Sequence, residues 1–222
     1  YYSLINHDVS VLLLESNIDQ INLDKFIKRY RPKYILLDCQ NKKTIKKFFI
    51  KEKIENILLY ESLEKKIQYS LNNNLKLILT TSGSSGDPKC VKISKKNLET
   101  NTNAIINYLN LTEKDKTITT LPPSYSYGLS ILNTHFYVGG SIISNSFSLY
   151  QKNFWELIDE SKISNINGVP FFYEILNKIG LNKIKGLKFF TQAGGSLEDK
   201  LFIDIINYLK KTNINLFLMY GQ

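Results

Sequence analysis

Cysteine, methionine, tryptophan and histidine are almost missing from this chain of 222 residues, which has two Cys, one Met, one Trp and two His. Cys39 and Cys90 are far apart, and neither has a partner at metal-ligand spacing, so a disulfide framework or a zinc site is not what organises the fold. His7 and His135 stand isolated. No apolar run approaches the roughly 18–20 residues of a membrane span, and no signal peptide is visible. The expectation is a cytoplasmic protein with no membrane span. Internal repeats and linker-like low-complexity segments are also lacking. The chain begins at Tyr1 and stops at Gln222, which reads as a piece of a longer protein.

What remains is 43% apolar and 12% aromatic, ample for a packed core in one or two domains. Charge is lopsided, with 29 Lys and Arg against 20 Asp and Glu, a formal net of +9. Lys42, Lys43, Lys46 and Lys47 form the densest run, close to Lys51 and Lys53. A basic nucleic-acid-binding protein would need its lysines on one face with aromatics between them. Here they recur on most helices, so they read as solvated faces and no nucleic acid is expected.

Periodicity predicts strands at 11–14, 34–37 and 56–60, a helix over 24–30 ended by Pro32, and a very basic helix over 42–50. Further on it predicts a helix from Ser94 as N-cap to Leu109, and a strand over 117–121. Another helix spans 129–138 and is broken by Gly139-Gly140, with a strand over 141–144. A helix around 154–158 and a strand over 165–169 follow, then a helix that starts at Pro170 and runs through Ile179. The last elements are a strand over 187–190, a helix begun by the S-x-x-D pair Ser196 and Asp199, and a strand over 214–219. This alternation implies an α/β fold of layered, mostly parallel β-sheets flanked by helices.

The apolar strand Leu75–Leu79 delivers the chain into Thr80-Thr81-Ser82-Gly83-Ser84-Ser85-Gly86-Asp87-Pro88-Lys89-Cys90. Hydroxyl donors, two glycines that let amides approach an anion, and one ammonium suit a polyphosphate. A Walker loop would need Gly-Lys-Ser/Thr, where this chain has Asp87-Pro88-Lys89. Read alone, the segment is equally a flexible Ser/Gly loop. Further along, Leu121-Pro122-Pro123-Ser124-Tyr125-Ser126-Tyr127-Gly128 makes a sharp strand-to-helix corner, a place where α/β sheets put ligands. Gln192-Ala193-Gly194-Gly195-Ser196-Leu197 joins a strand to a helix start, and Tyr220-Gly221 follows the last strand.

The string Thr81 to Lys89 fits the phosphate-loop pattern T-S-G-[ST]-[ST]-G-x-P-K of the adenylate-forming superfamily at every fixed position. Acyl-CoA synthetases, firefly luciferase and peptide-synthetase adenylation domains carry that pattern. The corner resembles the family's L-P-x-x-H-x-x-G motif, with Tyr125 at the histidine position. The 192–197 turn resembles its adenine-binding G-[AG]-[AG]-[PS]-L turn, and Tyr220-Gly221 the start of Y-G-x-T-E. The family usually has glycine at position 90, so Cys90 would be strained by about 1–2 kcal/mol if φ there were positive.

The resemblance covers nearly all of residues 1–222 and implies part of a large N-terminal AMP-binding domain, with the phosphate loop at 80–91 and a small C-terminal domain absent. It implies an AMP-forming ligase that activates a carboxylic acid with Mg-ATP and passes the acyl group to a thiol, either CoA or a phosphopantetheinyl carrier protein. Thr81, Ser82, Gly83, Ser84, Ser85, Gly86 and Lys89 would hold the phosphates, with Lys89 catalytic. Ala193, Gly194, Gly195, Tyr220 and Gly221 would hold adenosine. Tyr125, Gly128, Val169 and Phe171 would meet the acid, and the Mg²⁺-binding glutamate is expected beyond Gln222. The alternatives are an amino-acid-activating adenylation domain and a nucleotide-binding homologue without turnover. The identity of the acid stays open.

Overall fold

The computed structural model describes residues 1–41, 43–64, 72–81 and 89–221. Its first elements are α1 (Tyr2–Asn6), β1 (Val11–Leu13), α2 (Gln20–Tyr30), β2 (Tyr34–Asp38), β3 (Phe48–Ile54), β4 (Ile57–Ser62), β5 (Leu75–Thr81) and β6 (Lys89–Ser94). Next come α3 (Lys95–Leu109), β7 (Lys116–Ile118), α4 (Ser126–Tyr137), β8 (Ser141–Ile143) and α5 (Lys152–Ser161). The chain closes with β9 (Asn165–Gly168), α6 (Pro170–Ile179), β10 (Phe189–Gln192), α7 (Asp199–Leu209) and β11 (Asn215–Leu218). Two compact units emerge: Leu14–Leu75, and a larger one of Tyr1–Leu13 with Lys76–Gln222.

In the smaller unit Asp19 caps α2 by accepting from the Asn22 N–H at 2.8 Å, and Arg31 takes a left-handed conformation (φ 44°) that ends the helix before Pro32. Leu23 and Phe26 are its buried side chains, and the Phe26 and Tyr30 rings stack one turn apart. Its sheet is antiparallel, in the order β2-β4-β3, with a bulge between Ile50 and Glu52. Two expectations are corrected here. Parallel pairing does not extend to this unit, and the helix expected over 42–50 gives way to irregular chain over 43–47 and then strand β3. Lysines four apart would repel on a helix, whereas Phe48, Phe49 and Ile50 suit a strand that can pair with β4.

The larger unit is layered. Strands β9, β10 and β11 are parallel, and so are β7 and β8. The Ser164 N–H reaches the Lys116 carbonyl at 2.7 Å, which sets β7 beside β9 and continues the sheet. One face carries α5, α6 and α7, whose Phe154, Ile158, Phe172, Tyr173, Leu176 and Ile205 pack with Ile118, Ile166 and Phe190 in the main core. The other face meets α3 and α4 through Leu109 with Phe189, and Ile131 with Ala193. On their far side these two helices pack on a second sheet, β1-β5-β6, through Leu77, Leu79, Leu98 and Leu129. Helix α3 starts in a full capping box: the Ser94 hydroxyl accepts from the Asn97 N–H while the Asn97 side chain accepts from the Ser94 N–H, each at 3.1 Å. Helix α7 starts later than expected. Its N-cap is Glu198 and not Ser196, and no side-chain capping bond forms there.

Candidate active site

The sheet face toward α4 is unusually polar for a parallel sheet, whose strands ordinarily read as continuous apolar runs. In β9 the alternation Asn165-Ile166-Asn167 sends Ile166 into the main core and both asparagines to the α4 side, where they are buried. Thr117 and Thr191 from the flanking strands join them. Burial at this level is tolerable only with full hydrogen bonding. Asn167 Nδ2 donates to Thr117 Oγ1 and to Asn165 Oδ1, both at 2.9 Å, while the Thr191 hydroxyl donates to Asn167 Oδ1. Among the described residues no buried side-chain nitrogen or oxygen lacks a partner.

This polar layer positions a pocket of about 290 Å³ at the carboxyl ends of β10 and β11. Its walls are the start of α4 (Tyr125, Ser126, Tyr127, Ser130), the turn after β10 (Ala193, Gly194), the segment after β11 (Met219, Tyr220, Gly221) and part of α3 with Leu79. Tyr127 bridges two of these walls: its hydroxyl lies 2.6 Å from Thr191 Oγ1 and 2.9 Å from the Thr191 carbonyl. Burial pushes the Tyr127 phenol well above its ordinary pKa, so it stays a neutral donor. Gln192 braces the turn from beneath, donating to the Gly195 carbonyl at 2.7 Å and the Ala193 carbonyl at 3.3 Å.

Gly194 has φ +83°, a left-handed conformation that favours glycine. A Cβ there would also stand 2.6 Å from the Tyr125 hydroxyl oxygen and 3.1 Å from Val169 Cγ1. The corner residue and the turn residue are therefore fitted to each other. Gly128 is needed for another reason. A Cβ at that position would run into the Leu121 and Pro122 carbonyls, so this glycine lets α4 start tight against the proline corner.

Of the sequence-predicted residues, the structure brings Tyr125, Ala193, Gly194, Tyr220 and Gly221 to this one pocket, with Gly195 in the same turn and Val169 beside Gly194. Tyr220 is 93% exposed. Phe171 is not a lining residue; it is partly exposed and packs edge-on against Tyr150, while its neighbour Phe172 belongs to the main core. Lys89 opens β6, is exposed and does not line the pocket. Ser82, Gly83, Ser84, Ser85 and Gly86 lie outside the described residues; their flanks, Thr81 and Lys89, end and begin neighbouring strands of one sheet. Cys90 sits inside β6 without a positive φ, so no strain of the expected kind exists there. Tyr127, Thr191, Gln192, Asn165 and Asn167 were not singled out from sequence. The Asn-Ile-Asn alternation beside a threonine-bearing strand was the available signal.

A layered α/β unit with a glycine turn, an exposed tyrosine and a proline corner around one pocket at strand carboxyl ends has the architecture in which open α/β sheets place their ligands. The family model described as "AMP-binding enzyme" matches residues 2–222, and the chain belongs to that family. A curated relative, the acyl-CoA synthetase FUM10 of Gibberella moniliformis, is 28% identical over 150 residues, covering 66% of this chain and 26% of FUM10. Among solved structures, ATP-bound MatB from Rhodopseudomonas palustris is 25% identical with a TM-score of 0.57, over 67% of this chain and 29% of MatB. The inhibitor-bound N-terminal domain of FACL13 from Mycobacterium tuberculosis shares the fold at 17% identity and a TM-score of 0.58, over 73% of this chain and 40% of that one. The chain thus spans roughly a quarter of the length of its curated relative.

Proposed function

We propose that the chain is part of an AMP-forming ligase that uses ATP with Mg²⁺ to convert a carboxylic acid into an acyl-adenylate, with transfer to a thiol such as CoA or a carrier protein as the next step. The observation that carries this reading is the pocket shared by Tyr125, Ala193, Gly194 and Tyr220. An adenine ring would lie between the exposed Tyr220 ring and the Ala193–Gly194 backbone, in a turn whose Gly194 has no room for a Cβ against Tyr125 and Val169. Tyr125, with its hydroxyl at the edge of that turn, serves the carboxylate. Lys89 and the preceding hydroxyl-rich loop meet the phosphates and neutralise charge as pyrophosphate leaves. Among the described residues no three His, Cys, Asp or Glu side chains are grouped to hold a metal.

AMP titrated into the isotope-labelled chain should shift the amides of Ala193, Gly194 and Gly221, and Gly194→Val should abolish those shifts while the fold persists. AMP leaving all three amides unmoved would overturn the adenosine assignment. In a chain of the relatives' full length, the ligase reading requires carboxylate-dependent exchange of pyrophosphate into ATP across a panel of acids. Lys89→Ala should slow that exchange far more than it weakens adenosine binding.

A further inference from the structure

His135, in the last turn of α4, is buried and touches none of the pocket residues that the proposed function uses, yet its ring connects to them. Its Nδ1 lies 2.9 Å from the Ile131 carbonyl, which can only accept, so Nδ1 carries the proton and Nε2 presents a bare lone pair. Asn165 Nδ2 donates to that lone pair at 3.1 Å, which leaves Asn165 Oδ1 to accept from Asn167 Nδ2. Asn167 Oδ1 then accepts from the Thr191 hydroxyl. Having given its one proton to Asn167, Thr191 Oγ1 must accept from the Tyr127 hydroxyl. Every donor direction along this path follows from the single tautomer of His135. The path starts and ends on α4, running through β9 and β10 between its last turn and its first.

We propose that His135 is a positioning residue for the pocket: as a neutral acceptor it sets the direction of the buried chain His135–Asn165–Asn167–Thr191–Tyr127, which holds Tyr127 and the turn after Thr191 in register. A proton on Nε2 would place two donors face to face. Asn165 and then Asn167 would have to turn over, Thr191 would donate to Tyr127, and the Tyr127 proton would swing to the Thr191 carbonyl 2.9 Å away. That carbonyl already accepts from the Tyr173 hydroxyl at 2.6 Å, so the reversed state crowds two phenols onto the strand end that bears the turn. Proton binding at His135 is thus coupled to the pocket wall through a two-state element. The charged groups on this side are Asp115, which favours a proton on the ring, and its partner Lys188; from α3 the ring's cavity is lined by Ile105 and Leu109. Burial outweighs Asp115 and holds the imidazole below its ordinary pKa, so the chain as described is the form present at neutral pH.

The idea rests on the nucleotide reading of the pocket only for its use, and the test separates the two. Nuclear magnetic resonance on the 222-residue chain follows the His135 ring nitrogens, the Tyr127 hydroxyl proton and the Gly194 amide as pH is lowered from about 7.5 past the ordinary imidazole value of about 6.5 until the ring takes its second proton. All three should titrate together. His135→Gln, which presents a carboxamide oxygen to Asn165, should keep the neutral-pH positions of Tyr127 and Gly194 but remove their pH dependence. His135→Leu, which offers no acceptor, should displace both and weaken AMP binding about tenfold, the effect of stranding one buried donor. Tyr127 and Gly194 signals that ignore the His135 titration would overturn the proposal, as would His135→Gln titrating like the parent. If the coupled titration appears but AMP moves no pocket amide, the positioning role stands and the nucleotide reading falls.

Discussion

The two units solve the problem of an interior in different ways. In Leu14–Leu75 the side chains that α2 buries are Leu23 and Phe26, and the antiparallel sheet leaves Leu36, Ile54 and Ile57 about half exposed. In the larger unit, helices cover both faces of the parallel sheet, with an apolar core on one side and a fully hydrogen-bonded polar layer on the other. A sheet one helix thick can be stable, but it gives no wall dry enough to hold asparagines in fixed directions. The pocket stands over the polar layer, where direction is available as well as burial.

The comparison can be broken most sharply in the main core. Phe190→Ala empties a fully buried site and should cost about 3–5 kcal/mol in urea unfolding of the larger unit. Phe26→Ala should cost about 3 kcal/mol at most, and hydrogen exchange should show the loss in α2, β2, β3 and β4 while β9 and β10 keep their protection. Equal acceleration in β9 and β10 would erase the distinction between the units.

Asp115 sharpens the contrast by pH. Burial pushes its carboxyl up, but the Lys188 ammonium at 2.8 Å, the Thr112 N–H and the Ser164 hydroxyl outweigh that and hold it below the usual carboxylate range. Its stabilising effect is complete above the unfolded value of about 3.9 and is lost as pH falls below that toward the folded one. Asp115→Asn should cost about 2–3 kcal/mol at pH 7 and flatten the acid limb of a stability–pH curve. The smallest effect belongs to Arg31→Ala in the other unit. Its partner Glu64 is solvated, so the thermal midpoint should not move measurably.

Much of the larger unit was legible because its signals are local. Ser94 and Pro170 start helices where expected, and strands alternate with helices as their periods require. The smaller unit misled because Lys42 to Lys47 has helical spacing, while the pairing that turns Phe48–Ile54 into a strand comes from Ile57–Ser62. Five candidate residues were legible as motifs, and the structure places them around one pocket. Their support was not legible: Asn165, Asn167 and Thr191 are ordinary polar residues until three strands align them, and an isolated His135 says nothing until Ile131 fixes its tautomer.

The strand that carries this network contains Asn167-Gly168, the dipeptide most prone to lose its side-chain ammonia through a cyclic imide. Ring closure needs the Gly168 nitrogen to swing onto the Asn167 carboxamide. In the folded chain Gly168 is held in strand β9 beside Gln192 and the Asn167 carboxamide is gripped at both ends. Folding therefore acts here as chemical preservation, and position 167 works as a clock that runs only while the chain is open. Isoaspartate at residue 167 should accumulate in urea and stay near background in folded protein of the same age. Once formed, the extra backbone methylene would bar that molecule from rebuilding the layer under its pocket, making each unfolding episode a small, permanent mark.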